Sequence, residues 1–359
     1  MIEYAKGNLL EAPVDALVNT VNTVGVMGKG IALQFKQAFP QNFQEYESAC
    51  RRKEVVPGRM FVTRRLESPR WIINFPTKRH WKGKSRIEDI DAGLQDLVQV
   101  IRAEGVRSLA LPPLGCGNGG LDWREVRPRI EQALAAVPDL RVIIYGPDGA
   151  PPVDEMPVAT AAPAMNANRA ALVAAMMDYG HAGYRLTLLE IQKLAYFLQL
   201  AGQPLRLDFV KQKYGPYAEN LNFVLQRMEG HFIRGYGDRS KEASVEVLAI
   251  GRELTDHQLA DDEATLYRVE RVREAIEGFE TPYGMELLAT VHWVSEREGA
   301  GSDVAAVEHG VRSWNERKAR LFTTPHIATA VERIAAMGMA CGPSLNGSLS
   351  CTASADLPD

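Results

Sequence analysis

The sequence predicts an α/β chain in two parts, a layered-sheet domain over about the first 146 residues and then a mainly α-helical domain. Three observations predict it. Short β-rich runs alternate with helical patterns through residues 1–146. A Pro-, Gly- and Ala-rich run without periodicity, residues 146–163 (GPDGAPPVDEMPVATAAP), interrupts that alternation. From about Asn166 onward helical periodicity dominates, as in ALVAAMMDYG, LTLLEIQKLAYFLQLAG, TLYRVERVREAIEGF and TAVERIAAMGM.

In chain order, residues 16–20 (ALVNT), 59–63, 71–75 (WIINF), 109–112 and 141–145 (RVIIY) read as strands. Several are apolar on both faces, as in a sheet covered on both sides. The clearest helix opens at a Ser85-Arg86-Ile87-Glu88 capping box, puts Ile87, Ile90, Leu94, Leu97, Val98 and Ile101 on one face, and stops at Gly105. A second opens at Asp122-Trp123-Arg124-Glu125 and runs to about Ala136. The expected divisions are 1–150 for the sheet domain, 151–165 for a linker, 166–339 for the helical domain and 340–359 for a disordered tail of small and polar residues.

A chain of 359 residues is long enough for two domains with separate cores. Its net charge of −4 gives no overall attraction to nucleic acid or anionic membrane, so any polynucleotide contact must be local. Cys50, Cys116, Cys341 and Cys351 form no C-x-x-C pair and no metal spacing, so neither a metal nor a cofactor is expected, and a reducing cytoplasm fits best. MIEYAKGNLL lacks a basic segment followed by an apolar one, and no apolar run reaches membrane-spanning length, so export by that route and membrane insertion are not expected.

Two glycine-rich runs carry the chemistry: Gly25-Val26-Met27-Gly28-Lys29-Gly30 and Gly115-Cys116-Gly117-Asn118-Gly119-Gly120. Each follows a strand and leads into a helix, an arrangement that offers free N–H groups and a helix dipole to a phosphate or diphosphate. The first does not fit G-x-x-x-x-G-K-[ST], because Gly30 and Ile31 follow Lys29, and the spacing is not that of a dinucleotide fingerprint.

Gly7-Asn8-Leu9-Leu10, residues 16–36 (ALVNTVNTVGVMGKGIALQFK) and 111–123 (LPPLGCGNGGLDW) resemble macrodomains, three-layer α/β/α modules that bind ADP-ribose. NTVNTVGVMGKGIA and NFPTKRHWKGKS are similar, more narrowly, to the branch of terminal ADP-ribose glycohydrolases and bacterial DNA ADP-ribosyl glycohydrolase antitoxins. The resemblance implies adenine near Gly7, Asn8 and Leu9, and the distal ribose near Asn22. Residues Gly25, Val26, Met27, Gly28, Lys29, Gly30 and Ile31 would surround the diphosphate and that ribose. The run Gly115, Cys116, Gly117, Asn118 and Gly119 would close the other side, with Thr20, Thr77, Pro113 and Leu114 lining the site. Asn8 stands where many macrodomains have Asp, so the adenine amino contact is expected to be weaker or made by its side-chain carbonyl. Turn or cap chemistry accounts for Asn8 and Asn22 equally well.

By the same resemblance Lys78 is the catalytic residue, attacking C1″ of the distal ribose. An amine whose pKa is lowered by burial or a cationic neighbour is a good nucleophile toward such a carbon, and the resulting iminium is resolved by water. Arg79, His80, Lys82 and Lys84 are its sequence neighbours. The human enzyme of this branch has an aspartate two residues after G-C-G, where this chain has Gly119. Asp122 is better read as a helix N-cap than as its replacement, which leaves water, His80 or the substrate to protonate the leaving base. Cys116 has no base beside it and reads as a small loop residue.

Residues 78–86 hold five Lys or Arg with His80 and Trp81, a mixture suited to phosphates and stacked bases; Arg79, His80, Trp81 and Lys82 are the expected DNA contacts, with a solvated charged loop as the alternative. The resemblance implies single-stranded DNA carrying ADP-ribose on thymine. LTLLEIQKLAYFLQ (186–199) and KYGPYAENLNFVL (213–225) resemble the Panacea domain of bacterial antitoxins, which implies that the second half binds and neutralises a cognate DarT-type DNA ADP-ribosyltransferase toxin. Leu189, Leu194, Tyr196 and Phe197 would also form a core face. The acidic stretch 256–286, with Asp261, Asp262 and Glu263, either imitates a phosphate track or is a solvated helix surface. Two other functions remain open: a macrodomain that only reads ADP-ribose, and a hydrolase of protein-linked ADP-ribose.

Overall fold

The computed structural model describes residues 1–148, 156–180, 184–237 and 243–337. The expected tail and residues 151–155 of the expected linker lie outside the described residues. Two compact units emerge, Met1–Asn166 with Gly180–Leu188 and Asn220–Gln258, and Ala167–Tyr179 with Leu189–Glu219 and the chain from Leu259. This partition interleaves the chain, whereas the sequence reading placed one cut in it. Periodicity identifies elements; it does not say which core each joins.

The first unit is built on a six-stranded sheet, with β1 (Ile2–Ala5), β2 (Ala16–Asn22), β3 (Phe61–Arg64), β4 (Trp71–Lys78), β5 (Ser108–Leu111) and β6 (Arg141–Tyr145) in the order β1-β6-β5-β2-β4-β3. Neighbours are parallel except β3, which runs antiparallel at the edge beside β4. Between the strands lie α1 (Gly30–Ala38), α2 (Pro40–Arg51), α3 (Ile87–Glu104) and α4 (Trp123–Ala135). Successive β2 residues point to opposite faces. Ala16 and Val18 join Ile73 and Phe75 in a core with Leu94, Leu97 and Ile130 of α3 and α4. Leu17 and Ile72 join Phe35 and Ala38 of α1 on the other side. Burial on both faces explains the continuous apolar runs ALVNT and WIINF.

Helix α3 buries Ile90, Leu94, Leu97 and Ile101 and ends at Gly105, which adopts φ +67°, as its pattern requires. Its start corrects the expected capping box. The residue at the N-cap is Arg86, with no side-chain cap bond, and Ser85 points elsewhere. At Gly93 the helix comes so near the sheet that a Cβ would lie 2.3 Å from the Phe75 ring. Strand β1 carried no alternation strong enough to be read from sequence; it pairs with β6 at the sheet edge.

Beyond the sheet the elements are α5 (Ala167–Tyr179), β7 (Leu186–Thr187), α6 (Leu188–Leu200), β8 (Phe209–Gln212), β9 (Gly215–Ala218), α7 (Leu221–Met228), β10 (Ile233–Arg234), β11 (Ser244–Val247) and α8 (Ala249–Leu259). Then come α9 (Glu263–Ile276), α10 (Pro282–His292), α11 (Val304–Trp314), α12 (Glu316–Leu321) and α13 (Thr324–Met337). The region is mainly helical, as expected; its strands, of two to four residues, are too short to be seen as periodicity. Strands β10, β11 and β7 form an antiparallel sheet in the first unit. There Ala159 N–H donates to the Gln37 carbonyl at 2.8 Å, and Thr160 bonds His231 at 3.0 Å.

In the second unit α6 buries Leu194, Tyr196 and Phe197, and Tyr196 bonds the buried His292 at 2.9 Å. Lys193 is buried and donates to the Pro216 carbonyl at 2.6 Å. Glu286, also buried, takes a two-pronged bond from Arg317 at 2.6 and 3.0 Å and another from Lys318 at 2.6 Å. Asp262, within the acidic stretch, caps α9 by accepting from Thr265 N–H. Among the described residues no helix is long and apolar enough to cross a membrane.

Candidate active site

The site lies at the carboxyl ends of β2, β4 and β5, three adjacent strands, where open parallel sheets present their loops to ligands. Val21 pairs with Pro76 but Asn22 pairs with Lys78, so Thr77 is an extra residue in β4. Pro76 brings no N–H to the ladder, and the resulting bulge re-aims the strand end. Lys78 thereby leaves the sheet as its last residue.

Lys78 is half-buried, and its ammonium donates to the Asn118 carbonyl in the second glycine loop. Burial first, and then the charge of Lys29, hold its pKa below the ordinary lysine range. The expected cause is therefore present with a different partner: the cation that counts is Lys29, from the first glycine loop, and not the sequence neighbours. Lys29 is the N-cap residue of α1. The two loops meet here, since a Cβ at Gly30 would lie 2.9 Å from Asn118 Nδ2.

Asn22 braces the first loop. Its side-chain oxygen accepts from the N–H groups of Val24 and Val26 at 3.0 and 3.3 Å, its Nδ2 donates to the Val26 carbonyl, and Tyr46 OH donates to its backbone carbonyl at 2.7 Å. Asn8 caps a 3-10 turn by accepting from Leu10 N–H at 3.0 Å. That side-chain oxygen accepts one bond and has a second lone pair, while Nδ2, a donor, is buried without a partner.

Gly119 explains the absent carboxylate. A Cβ there would lie 2.2 Å from the Gly115 carbonyl oxygen and 2.3 Å from Ser85 Oγ, so the loop's interior admits no side chain. Ser85 is the residue that fills this space; its N–H donates to the Gly119 carbonyl at 3.0 Å, and its hydroxyl is buried without a partner. Asp122 accepts from Arg124 N–H at 2.8 Å as the α4 N-cap, as expected. Burial and then Asp122 push the Cys116 thiol up to about 11, which removes it as a thiolate nucleophile at neutral pH. Among the described residues no cluster of His, Cys, Asp and Glu is fit to hold a metal ion.

The expected DNA-contact residues divide. Arg79 is drawn to Asp89 of α3, at 3.0 Å, and its carbonyl accepts from Thr23 Oγ1 at 2.7 Å, so it fastens the loop down. His80, Trp81 and Lys82 are exposed, as is Arg79, which differs from them in being ion-paired.

The Macro domain family matches residues 18–130. A Thermus aquaticus protein named DNA ADP-ribosyl glycohydrolase is 49% identical over 345 residues, 94% of this chain and 94% of its own length. The chain belongs to the DNA ADP-ribosyl glycohydrolase family. A Mycobacterium tuberculosis protein of the same name is 45% identical, covering 93% of this chain and 99% of its own. A Thermosipho africanus DNA ADP-ribosyl transferase-DNA ADP-ribosyl glycohydrolase fusion protein is 36% identical over 41% of this chain and 42% of its own.

Several residues that shape this DNA ADP-ribosyl glycohydrolase site were not read from sequence. Asn19, Asn42 and Asn74 form a buried network under the first loop, with Asn74 donating to Asn42 at 2.7 Å and Asn19 to Asn74 at 3.0 Å. Tyr46 supports the first loop from outside the motifs, and Ser85, at the end of NFPTKRHWKGKS, supports the second rather than capping α3. Pro76 was the one available signal for the bulge, because proline inside a β-run marks an irregularity.

Proposed function

We propose that the chain removes ADP-ribose from thymine-linked, single-stranded ADP-ribosylated DNA with Lys78 as nucleophile, and that its helical region holds and neutralises a cognate DNA ADP-ribosyltransferase toxin. One observation carries the enzymatic part: a lysine with a lowered pKa stands between two glycine-rich loops at the carboxyl ends of the central strands. A protein that only reads ADP-ribose has no need of such an amine.

The loops and the α1 N-terminus would bind the diphosphate and set C1″ near Lys78. Neutral Nζ forms a bond to C1″, and the electron pair of the C1″–base bond leaves with the base, which takes a proton from water or His80. The resulting glycosylamine loses the extra Nζ proton to solvent, and its C1″–O4″ bond opens, the electron pair and a proton going to O4″, to give the iminium. Water adds to C1″, and the carbinolamine expels the amine, releasing ADP-ribose. Neither Gly119 nor the capping Asp122 supplies a carboxylic acid, so this route does without one. The name of the fusion relative, which joins a transferase to a glycohydrolase, supports a transferase as the partner.

The test is to incubate the chain with ADP-ribosylated single-stranded DNA and, separately, with ADP-ribosylated protein, following free ADP-ribose. Release from DNA alone is expected. Release only from protein would redirect the substrate assignment, and binding without release would leave a reader. Co-expressed toxin should co-purify with the chain; its absence from the purified chain would remove the second half of the reading.

A further inference from the structure

Among the described residues 1–148, seven large apolar side chains are exposed, and three of them, Val24, Val26 and Trp81, sit on the two loops that flank Lys78. The bond from Thr23 Oγ1 to the Arg79 carbonyl sets these loops side by side. Trp81 keeps 49% of its surface open, a large apolar area with no role in the core. Its surroundings are ordered by local contacts: the His80 ring stacks on it at 5.6 Å and 29°, the Lys82 ammonium lies 4.9 Å from its ring centroid, and Lys82 N–H donates to His80 Nδ1 at 3.3 Å.

The charge around it is one-sided. Residues 78–86 contain five Lys or Arg and no Asp or Glu, in a chain whose net charge is −4. An open indole beside ammonium groups matches a nucleobase followed by its phosphate, the pairing that single-strand binding sites use. Trp81 lies three positions after Lys78, a backbone span of at most about 11 Å. That is the reach of a neighbouring nucleotide. A modified protein side chain offers no such base.

We propose that Trp81, with His80 and Lys82, forms a subsite for the nucleotide next to the ADP-ribosylated one, stacking on its base and holding its phosphate. The subsite rests on the reading of the chain as a hydrolase of DNA-linked ADP-ribose. It makes a polynucleotide a better substrate than the same linkage on a single nucleoside.

Two measurements on the full chain test it. The first compares kcat/KM for an ADP-ribosylated single-stranded oligonucleotide and for an ADP-ribosylated thymidine. Trp81→Ala is expected to lower the oligonucleotide-to-nucleoside ratio about tenfold, through KM, and Trp81→Phe to restore most of it. The second follows quenching of tryptophan fluorescence by an unmodified oligonucleotide, which needs no turnover; Trp81→Ala should weaken that binding about tenfold. An unchanged ratio, or an equal loss on both substrates, overturns the subsite. Hydrolysis of neither substrate alongside Trp81-dependent binding would instead overturn the hydrolase reading and keep the subsite.

Discussion

Two lysines, one in each unit, share a cause and differ in consequence. Lys78 and Lys193 both have pKa values lowered chiefly by burial and secondly by another lysine, Lys29 in one case and Lys318 in the other. By that measure Lys193, pushed down to about 7, is the more perturbed. Yet Lys193 is buried in α6 against the Pro216 carbonyl, where it ties β9 to the helix, while Lys78 stands half-exposed at a strand end between two ligand-type loops. A shifted pKa marks the energetic cost of a charge. Access decides whether that cost serves chemistry or structure.

The comparison breaks most visibly if the wrong lysine matters for turnover. Lys78→Ala should lower ADP-ribose release from DNA at least about a thousandfold, with affinity for free ADP-ribose kept within a few-fold, since an attacking amine acts on the transition state more than on the ground state. Lys193→Met should leave release intact. Single-turnover kinetics and calorimetry on both variants would decide; comparable losses in turnover would erase the distinction.

A smaller effect sharpens the structural side. Folded Lys193 gives up its proton near pH 7, while in the unfolded chain it keeps it to about pH 10.4, so between those values the unfolded state binds more protons and stability rises with pH. Lys193→Met should flatten that rise by up to about 1.4 kcal/mol per pH unit. Lys318, also lowered, to about 8, contributes in the same direction and would remain. Denaturant titrations across that window give the slope directly, and an unaltered slope would mean that Lys193 titrates alike in both states.

The smallest effect concerns the electrostatic partner at the site. A nucleophilic amine works deprotonated, so the rate rises as pH passes the Lys78 pKa. Lys29→Met removes a repelling charge and should shift that rising limb to higher pH, though by less than loss of the burial would, because burial is the larger cause. A limb that stays in place, or moves to lower pH, would remove Lys29 from the account.

Much of the sheet was legible in the sequence because β2, β4, β5 and β6 are buried on both faces and spell continuous apolar runs. Helix α3 was legible through its stripe and Gly105, but its cap was not. Ser85 satisfies the cap pattern while its hydroxyl faces the Gly115–Gly119 turn, a long-range contact that local spacing cannot reveal. The same limit hid the Lys78–Lys29 relation, which depends on two loops 49 residues apart in the chain. Asn8 and Asn22 show a third kind of limit: sequence set turn or cap chemistry beside ligand contact for both, and the structure shows the turn bonds, each side chain bracing its own loop.

The interleaving of the two units also sets an order of events during synthesis. All six strands of the large sheet have been made once residue 145 emerges, but the first unit still awaits the segment that ends at Gln258. At about 5–20 residues per second, those 113 residues take roughly 6–23 s. Through that interval His231, the eventual partner of Thr160, has yet to arrive for most of the time. The nascent chain therefore passes through a stage in which its sheet is finished and part of its surrounding is still on the ribosome, a stage that a chain made of two consecutive domains would not have.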